Sequence, residues 1–176
     1  MKKTIIIGLI IVIISVLVDQ LSKLLMVNLL QTEGNYITVI EGFFRFKLHY
    51  NTGAAFSSFD GNFPFLMVMT LVATIVFIIM AKWADFDKKF FYSLGIYLMI
   101  GGMIGNFIDR IFNYGVGVVD FLAFTFFGWN FAVFNIADVC LVIGVIAVII
   151  DLIFFDGKRE KEKKDLNEVE VIETEV

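Results

Sequence analysis

Residues 131–155 read FAVFNIADVCLVIGVIAVIIDLIFF, 25 residues without a basic side chain and with only two acids, Asp138 and Asp151. As a helix this run is about 38 Å long at 1.5 Å per residue, enough to cross a hydrocarbon core of about 30 Å. Three more apolar runs of spanning length lie upstream, at about 4–26, 63–81 and 90–108. A helix satisfies its own backbone and is the only open-ended segment that can cross lipid. The expected fold is therefore an all-α polytopic membrane protein with four transmembrane helices.

Composition agrees. Hydrophobic residues make up 59% of the 176 and charged residues 18%, against about half and about a quarter in soluble domains. So small a soluble fold could not hide that much apolar surface. The opening Met1-Lys2-Lys3 before an isoleucine-rich run resembles a secretory signal peptide. No small-x-small cleavage site follows, and the run continues through Asp19 and Lys23 to Leu30, so a retained helix is expected.

The net charge of −4 resides mostly in residues 156–176, whose five basic and eight acidic residues leave −3 there and −1 elsewhere. That stretch is expected to be a solvated, disordered cytoplasmic tail, separate from a membrane domain over 1–155. No basic stripe suggests nucleic acid. The single cysteine, Cys140, excludes an internal disulfide, and the single histidine, His49, excludes a His-x-x-x-His zinc site. Neither a metal nor a cofactor is expected.

Ten of the fourteen basic residues fall on one side if four spans alternate: Lys2, Lys3, Lys82, Lys88, Lys89 and five in the tail. By the positive-inside rule both termini should be cytoplasmic. Links 27–62 and 109–130 then lie outside. They are long for simple connections. Phe44–Tyr50 alternates apolar and polar with period two, as a half-buried strand does, and 116–127 is rich in β-branched and aromatic residues. Two strands in the outer links are expected from these.

On this topology the polar residues converge on one face. Asp19 and Lys23 lie toward the outer end of the first span, Asn51 in the first outer link, and Asn106, Asp109 and Arg110 at the end of the third span. Asp120 lies in the second outer link, and Asn135 and Asp138 in the first two turns of the fourth span. Architecture accounts for several of them. A terminal Asp109–Arg110 pair is commonly structural, Asp19 and Lys23 at i, i+4 stabilise a helix, and Gly101-x-x-x-Gly105 makes a close packing face. Asp151 is expected among lipid headgroups. Asp138 resists such accounts, because an acid within a span costs about 2.5–3.5 kcal/mol on insertion scales and is functional by default.

Among chemistries, serine–histidine hydrolysis lacks a Gly-x-Ser-x-Gly elbow, and nucleotide binding lacks a Gly-x-x-x-x-Gly-Lys loop. Two carboxylates sharing one proton remain as a hydrolytic device. Periodicity leaves the partner of Asp138 open among Asp120, Asp109 and Asp19.

Five stretches carry a resemblance. Asp19-Gln20-Leu21-Ser22-Lys23, Asn51-Thr52-Gly53-Ala54-Ala55-Phe56, Gly105-Asn106-Phe107-Ile108-Asp109-Arg110, Val118-Val119-Asp120-Phe121 and Phe134-Asn135-Ile136-Ala137-Asp138 resemble, in order, the motif series of the lipoprotein signal peptidase (signal peptidase II) family. The resemblance implies an aspartic endopeptidase of the bacterial plasma membrane that cuts prolipoproteins before a diacylglyceryl-modified cysteine. By motif position its catalytic aspartates fall on Asp120 and Asp138. Support of the dyad and positioning of substrate fall on Asp19, Lys23, Asn51, Gly53, Asn106, Asp109, Arg110 and Asn135. The strand-like first outer link resembles the family's small extracytoplasmic sheet, a cradle for substrate. The implied partners are lipid-modified signal peptides and membrane lipid, with the enzyme a monomer. The competing classes are a proton-coupled transporter loading protons at Asp138, and a non-catalytic scaffold that would tolerate Asp→Asn changes.

Overall fold

Along helix α1 (Lys2–Leu30) the buried positions are Thr4, Gly8, Ser15, Asp19, Lys23, Met26 and Leu30, spaced so that most fall three or four apart on one stripe. Most of the isoleucines and leucines between them are exposed. Small and polar side chains inward, aliphatic ones outward, is the arrangement of a helix whose outer solvent is hydrocarbon. The computed structural model describes residues 2–53 and 61–161. Within them four helices are long and apolar enough to cross a membrane.

After α1 come strands β1 (Tyr36–Ile40) and β2 (Phe44–Asn51), helix α2 (Phe63–Met80) and helix α3 (Phe90–Phe112). Strands β3 (Val118–Phe126) and β4 (Trp129–Asn130) follow, then helix α4 (Ile136–Asp151). Helix α3 is the hub, packed against each of the other three. Its glycines make this possible: a Cβ on Gly102 would lie 2.5 Å from the carbonyl of Ala137 in α4, and one on Gly105 would lie 2.6 Å from a carboxylate oxygen of Asp19 in α1. The backbone of α4 and the Asp19 side chain of α1 therefore lie directly against α3.

The strands form one antiparallel sheet in the order β1-β2-β3-β4, the small sheet that the resemblance implies. It rests on the end of α1 through Leu30, Leu48 and Val119. An irregularity in β2 between Phe46 and His49 shifts the register and sets His49 opposite Asp120.

Two boundaries and the placement of one residue differ from expectation. The fourth span does not begin at residue 131. Phe131–Phe134 instead runs beside β3, with Phe134 exchanging backbone hydrogen bonds with Leu122 at 2.8 and 3.1 Å, and α4 starts after Asn135. Asp138 is thus the third residue of α4, about 4.5 Å from its start at 1.5 Å per residue, shallower than seven residues into a span would place it. The same helix passes residue 155 through a π-helical turn, Leu152–Asp156, and continues to Lys161. The tail expected to be disordered thus begins as helix over 156–161, and its residues 162–176 lie outside those described. Asp151 is not among headgroups: it is 2% exposed, and Arg159 two turns on grips both its oxygens.

Candidate active site

The site is assembled at the sheet end of the bundle, from α1, α3, the end of β2, β3 and the start of α4. Its first layer is a buried lysine. Lys23 lies beside Asp19 of its own helix at 2.9 Å, Asp109 of α3 at 3.0 Å and the side-chain oxygen of Asn106 at 3.0 Å. An ammonium has three hydrogens to donate, and each has an acceptor here. Asp19 in turn accepts from the backbone N–H of Ala137 at 2.9 Å, so a carboxylate on α1 holds one of the free N–H groups that open α4. Asp109 accepts from the N–H of Val119 at 2.9 Å, which ties α3 to β3 one residue before Asp120.

The second layer is a chain of amides. Asn106 donates to Asp138 at 2.8 Å and accepts from Asn135 at 3.0 Å. Asn51 donates to Asp120 at 3.0 Å, and its oxygen accepts from the N–H of Gly53 at 3.0 Å. Gly117 allows this: with φ at +129°, a Cβ there would fall 2.8 Å from the carbonyl of Asn51. Arg110 donates to the carbonyls of Asn106 and Gly53, each at 3.3 Å, which clips the end of β2 to α3.

At the centre stands Asn135. Its amide donates to Asp120 at 2.6 Å, and its oxygen accepts from the N–H of Asp138 at 3.0 Å while its own N–H donates to the Asp138 carboxylate at 3.2 Å. The last two bonds are a capping box, which is why α4 begins here. One residue therefore bonds to both acids and starts the helix that carries one of them. Asp120 is 1% exposed and Asp138 half-buried. Burial, with the neighbouring charge of Asp138 second, pushes the Asp120 carboxyl up to about 7; hydrogen bonds from Asn51 and Asn135 and the charge of Lys23 oppose this.

All ten residues singled out from the sequence meet in this cluster. Asp109 and Arg110 do so separately, the former on Lys23 and Val119 and the latter on backbone carbonyls, so the expected pair between them is replaced by two different clamps. Asp19 with Lys23 is the helix pair its spacing suggested, buried and extended by Asp109. Of the three candidates for the partner of Asp138, Asp19 and Asp109 pair with Lys23, whereas Asp120 shares Asn135 with Asp138. One participant went unassigned. Gln20 donates to Asp19, the carbonyl of Gly105 and Asp109 at 3.0, 3.1 and 2.9 Å. An amide beside an acid inside an apolar span was the available signal.

Two carboxylates, one buried and one half-buried, bridged by an amide at the mouth of four membrane helices, are the equipment of a membrane-embedded aspartic peptidase. Comparison with known proteins carries this further. The pattern of the family described as Signal peptidase (SPase) II matches residues 11–154, and the chain belongs to that family. A lipoprotein signal peptidase of Bacillus pumilus (strain SAFR-032) is 42% identical over 155 residues, which cover 87% of this chain and 96% of the relative. Two solved bacterial membrane enzymes superpose with TM-scores of 0.72 and 0.71 at 34% and 33% identity. They cover 82% and 84% of this chain, and 86% and 93% of their own. Membership displaces the transporter and scaffold readings.

Proposed function

We propose that the chain removes signal peptides from diacylglyceryl-modified bacterial prolipoproteins, cutting before the lipidated cysteine, with Asp120 and Asp138 as the catalytic pair. The observation that carries this is the double engagement of Asn135, which holds two carboxylates of different accessibility in one hydrogen-bonded unit. With its carboxyl pushed up to about 7, Asp120 keeps the shared proton near neutral pH and hydrogen-bonds the scissile carbonyl oxygen. Asp138, the more accessible, takes a proton from water as the hydroxyl adds to the carbonyl carbon, and the proton of Asp120 passes to the carbonyl oxygen. When the C–N bond breaks, Asp138 returns its proton to the departing cysteine nitrogen and Asp120 recovers its own from the hydroxyl.

The remaining residues support the pair. Asn51, Asn106 and Asn135 orient the carboxylates. The Lys23–Asp19–Asp109 triad locks three elements beneath them, and Arg110 with Gly53 shapes the adjoining link. A substrate whose lipid and signal helix already lie in the bilayer reaches a site at the mouth of the bundle without leaving lipid. The distribution of basic residues supports a plasma-membrane protein with both termini in the cytoplasm and the sheet outside. A monomer is sufficient, since every supporting group named comes from one chain.

The test is cleavage of a purified diacylglyceryl-modified prolipoprotein, read as a mass shift. Wild-type chain should release the signal peptide, and unmodified substrate should be cut poorly. Asp120→Asn and Asp138→Asn should fold and fail to cut. Full activity in either variant would defeat the assignment.

A further inference from the structure

The hairpin from β3 to β4 closes tightly: Phe126 pairs with Trp129, leaving Phe127 and Gly128 as a two-residue loop. Both have positive φ, +50° and +81°, as a type I′ turn requires at both central positions. Asn or Asp is favoured at the first of these, because a short polar side chain tolerates the left-handed conformation. A bulky phenylalanine there is a strained choice. The protein does not recover that cost by burying the ring, since Phe127 is fully exposed.

The surroundings give the strain a purpose. Phe126 and Trp129 beside the turn are themselves exposed. Rings continue from the tip toward the bundle: Trp129 to Phe131 at 5.8 Å, Phe131 to Phe134 at 5.9 Å, and Phe134 to Phe124 at 5.7 Å. Phe134 immediately precedes Asn135, the cap of α4, whose Val142 and Ile146 are exposed on the apolar surface of the bundle. The opposite side of the hairpin is polar, with Thr125 and Arg45 both donating to the side-chain oxygen of Asn130 at 2.9 and 3.2 Å. The hairpin is thus amphipathic, its apolar side joins the lipid-facing wall of a transmembrane helix, and its composition is that of an aromatic interfacial belt.

We propose that the tip Phe126–Trp129 is an anchor seated in the headgroup–acyl boundary of the adjacent bilayer leaflet, which fixes the height of the Asp120-bearing strand relative to substrate in that bilayer. Tip and acid share β3, about 20 Å apart at 3.3 Å per residue, so a held tip steadies the acid. The seating itself is independent of the cleavage chemistry; its effect on cleavage rests on the proposed function.

Trp83 and Trp129 are the two tryptophans, so in a Trp83→Phe chain fluorescence reports the tip. In phosphatidylcholine–phosphatidylglycerol vesicles, Trp129 should be quenched by phospholipid brominated near the headgroup end of its acyl chains and shielded from aqueous iodide. Iodide quenching without bromolipid quenching would overturn the anchor. So would shielding from both quenchers that is lost when protein is diluted in the bilayer, which would mean that a second copy covers the tip. Because the same measurement works in Asp138→Asn, failure of the anchor is separable from failure of the peptidase reading. Phe127→Asn supplies a second arm, since it improves the turn while removing the ring. It should hold or raise thermal stability in detergent, weaken bromolipid quenching, and lower cleavage of vesicle-embedded substrate several-fold. Unchanged quenching together with full vesicle cleavage in that variant would sink the proposal.

Discussion

Two buried acids at opposite ends of the bundle are treated in opposite ways. Asp151, at the far end, faces a guanidinium: Arg159 contacts both of its oxygens, reaches Asp156 at 3.2 Å and touches the carbonyl of Lys88. Asp120, at the sheet end, is just as enclosed, yet its hydrogen-bonding partners are the neutral amides of Asn51 and Asn135. A guanidinium supplies a full counter-charge and fixes an acid as architecture. Amides supply geometry without charge, so burial is left free to favour the protonated form. The chain does have a cation near the site, Lys23, but it is paired with Asp19 and Asp109, and its charge offsets only part of the effect of burial on Asp120. On the proposed assignment, the kind of donor separates the working acid from the structural one, since both are buried.

The strongest way to break this contrast is to neutralise each acid in turn. Asp120→Asn should lower the cleavage rate by at least about 10²–10⁴-fold, the usual contribution of a positioned acid or base. Asp151→Asn should leave cleavage within a few-fold in the same mass-shift assay. Next in size is Lys23→Met. It strands Asp19 and Asp109 without their cation, and should cost about 3–5 kcal/mol of stability, as breaking a buried pair does, read as a fall in Tm in detergent. Arg159→Met at the far end should cost less, about 1–3 kcal/mol, because a partly exposed cation is being removed from one buried acid. It should leave the pH profile of cleavage unchanged.

The finest test is titration. With Asp120 at about 7, cleavage should decline as pH rises through that value and the pair loses its proton. The folded carboxyl lies above its unfolded value, so the native state binds the extra proton between about pH 4 and 7 and loses stability as pH rises across that window. Asp120→Asn should therefore gain on wild type in Tm as pH goes from 5 to 8. The hydrogen bond from Asn51 pulls the Asp120 value down, so Asn51→Ala should move the alkaline limb of the profile to higher pH. An unmoved limb would mean that another group sets it.

Much of this was legible in the sequence, for identifiable reasons. Spanning helices announce themselves because lipid demands length and apolarity together, and strand β2 because Phe44–Tyr50 keeps period two. The link of Asp138 to Asp120 is not legible by periodicity, since it runs through Asn135, which is placed by the pairing of Phe134 with β3. The start of α4 was misplaced because Phe131–Phe134 is as apolar as a span yet pairs with β3, and only the capping box of Asn135 and Asp138 marks the true boundary. Strand β1 escaped notice within a link whose other strand carried the clearer alternation. The role of Asp151 was hidden because its partner lies eight residues on, past the i+3 and i+4 neighbours that spacing rules survey, with a π-helical turn between.

If Asp120 and Asp138 are the catalytic pair as proposed, Asn135 couples catalysis to a readily frayed part of a helix, its opening turn. The first turn of α4 and the alignment of the two acids share hydrogen bonds. On that assignment, partial unwinding there should weaken the pair while the bundle below stays folded. Warming should silence this protein reversibly at temperatures where its helices are still intact.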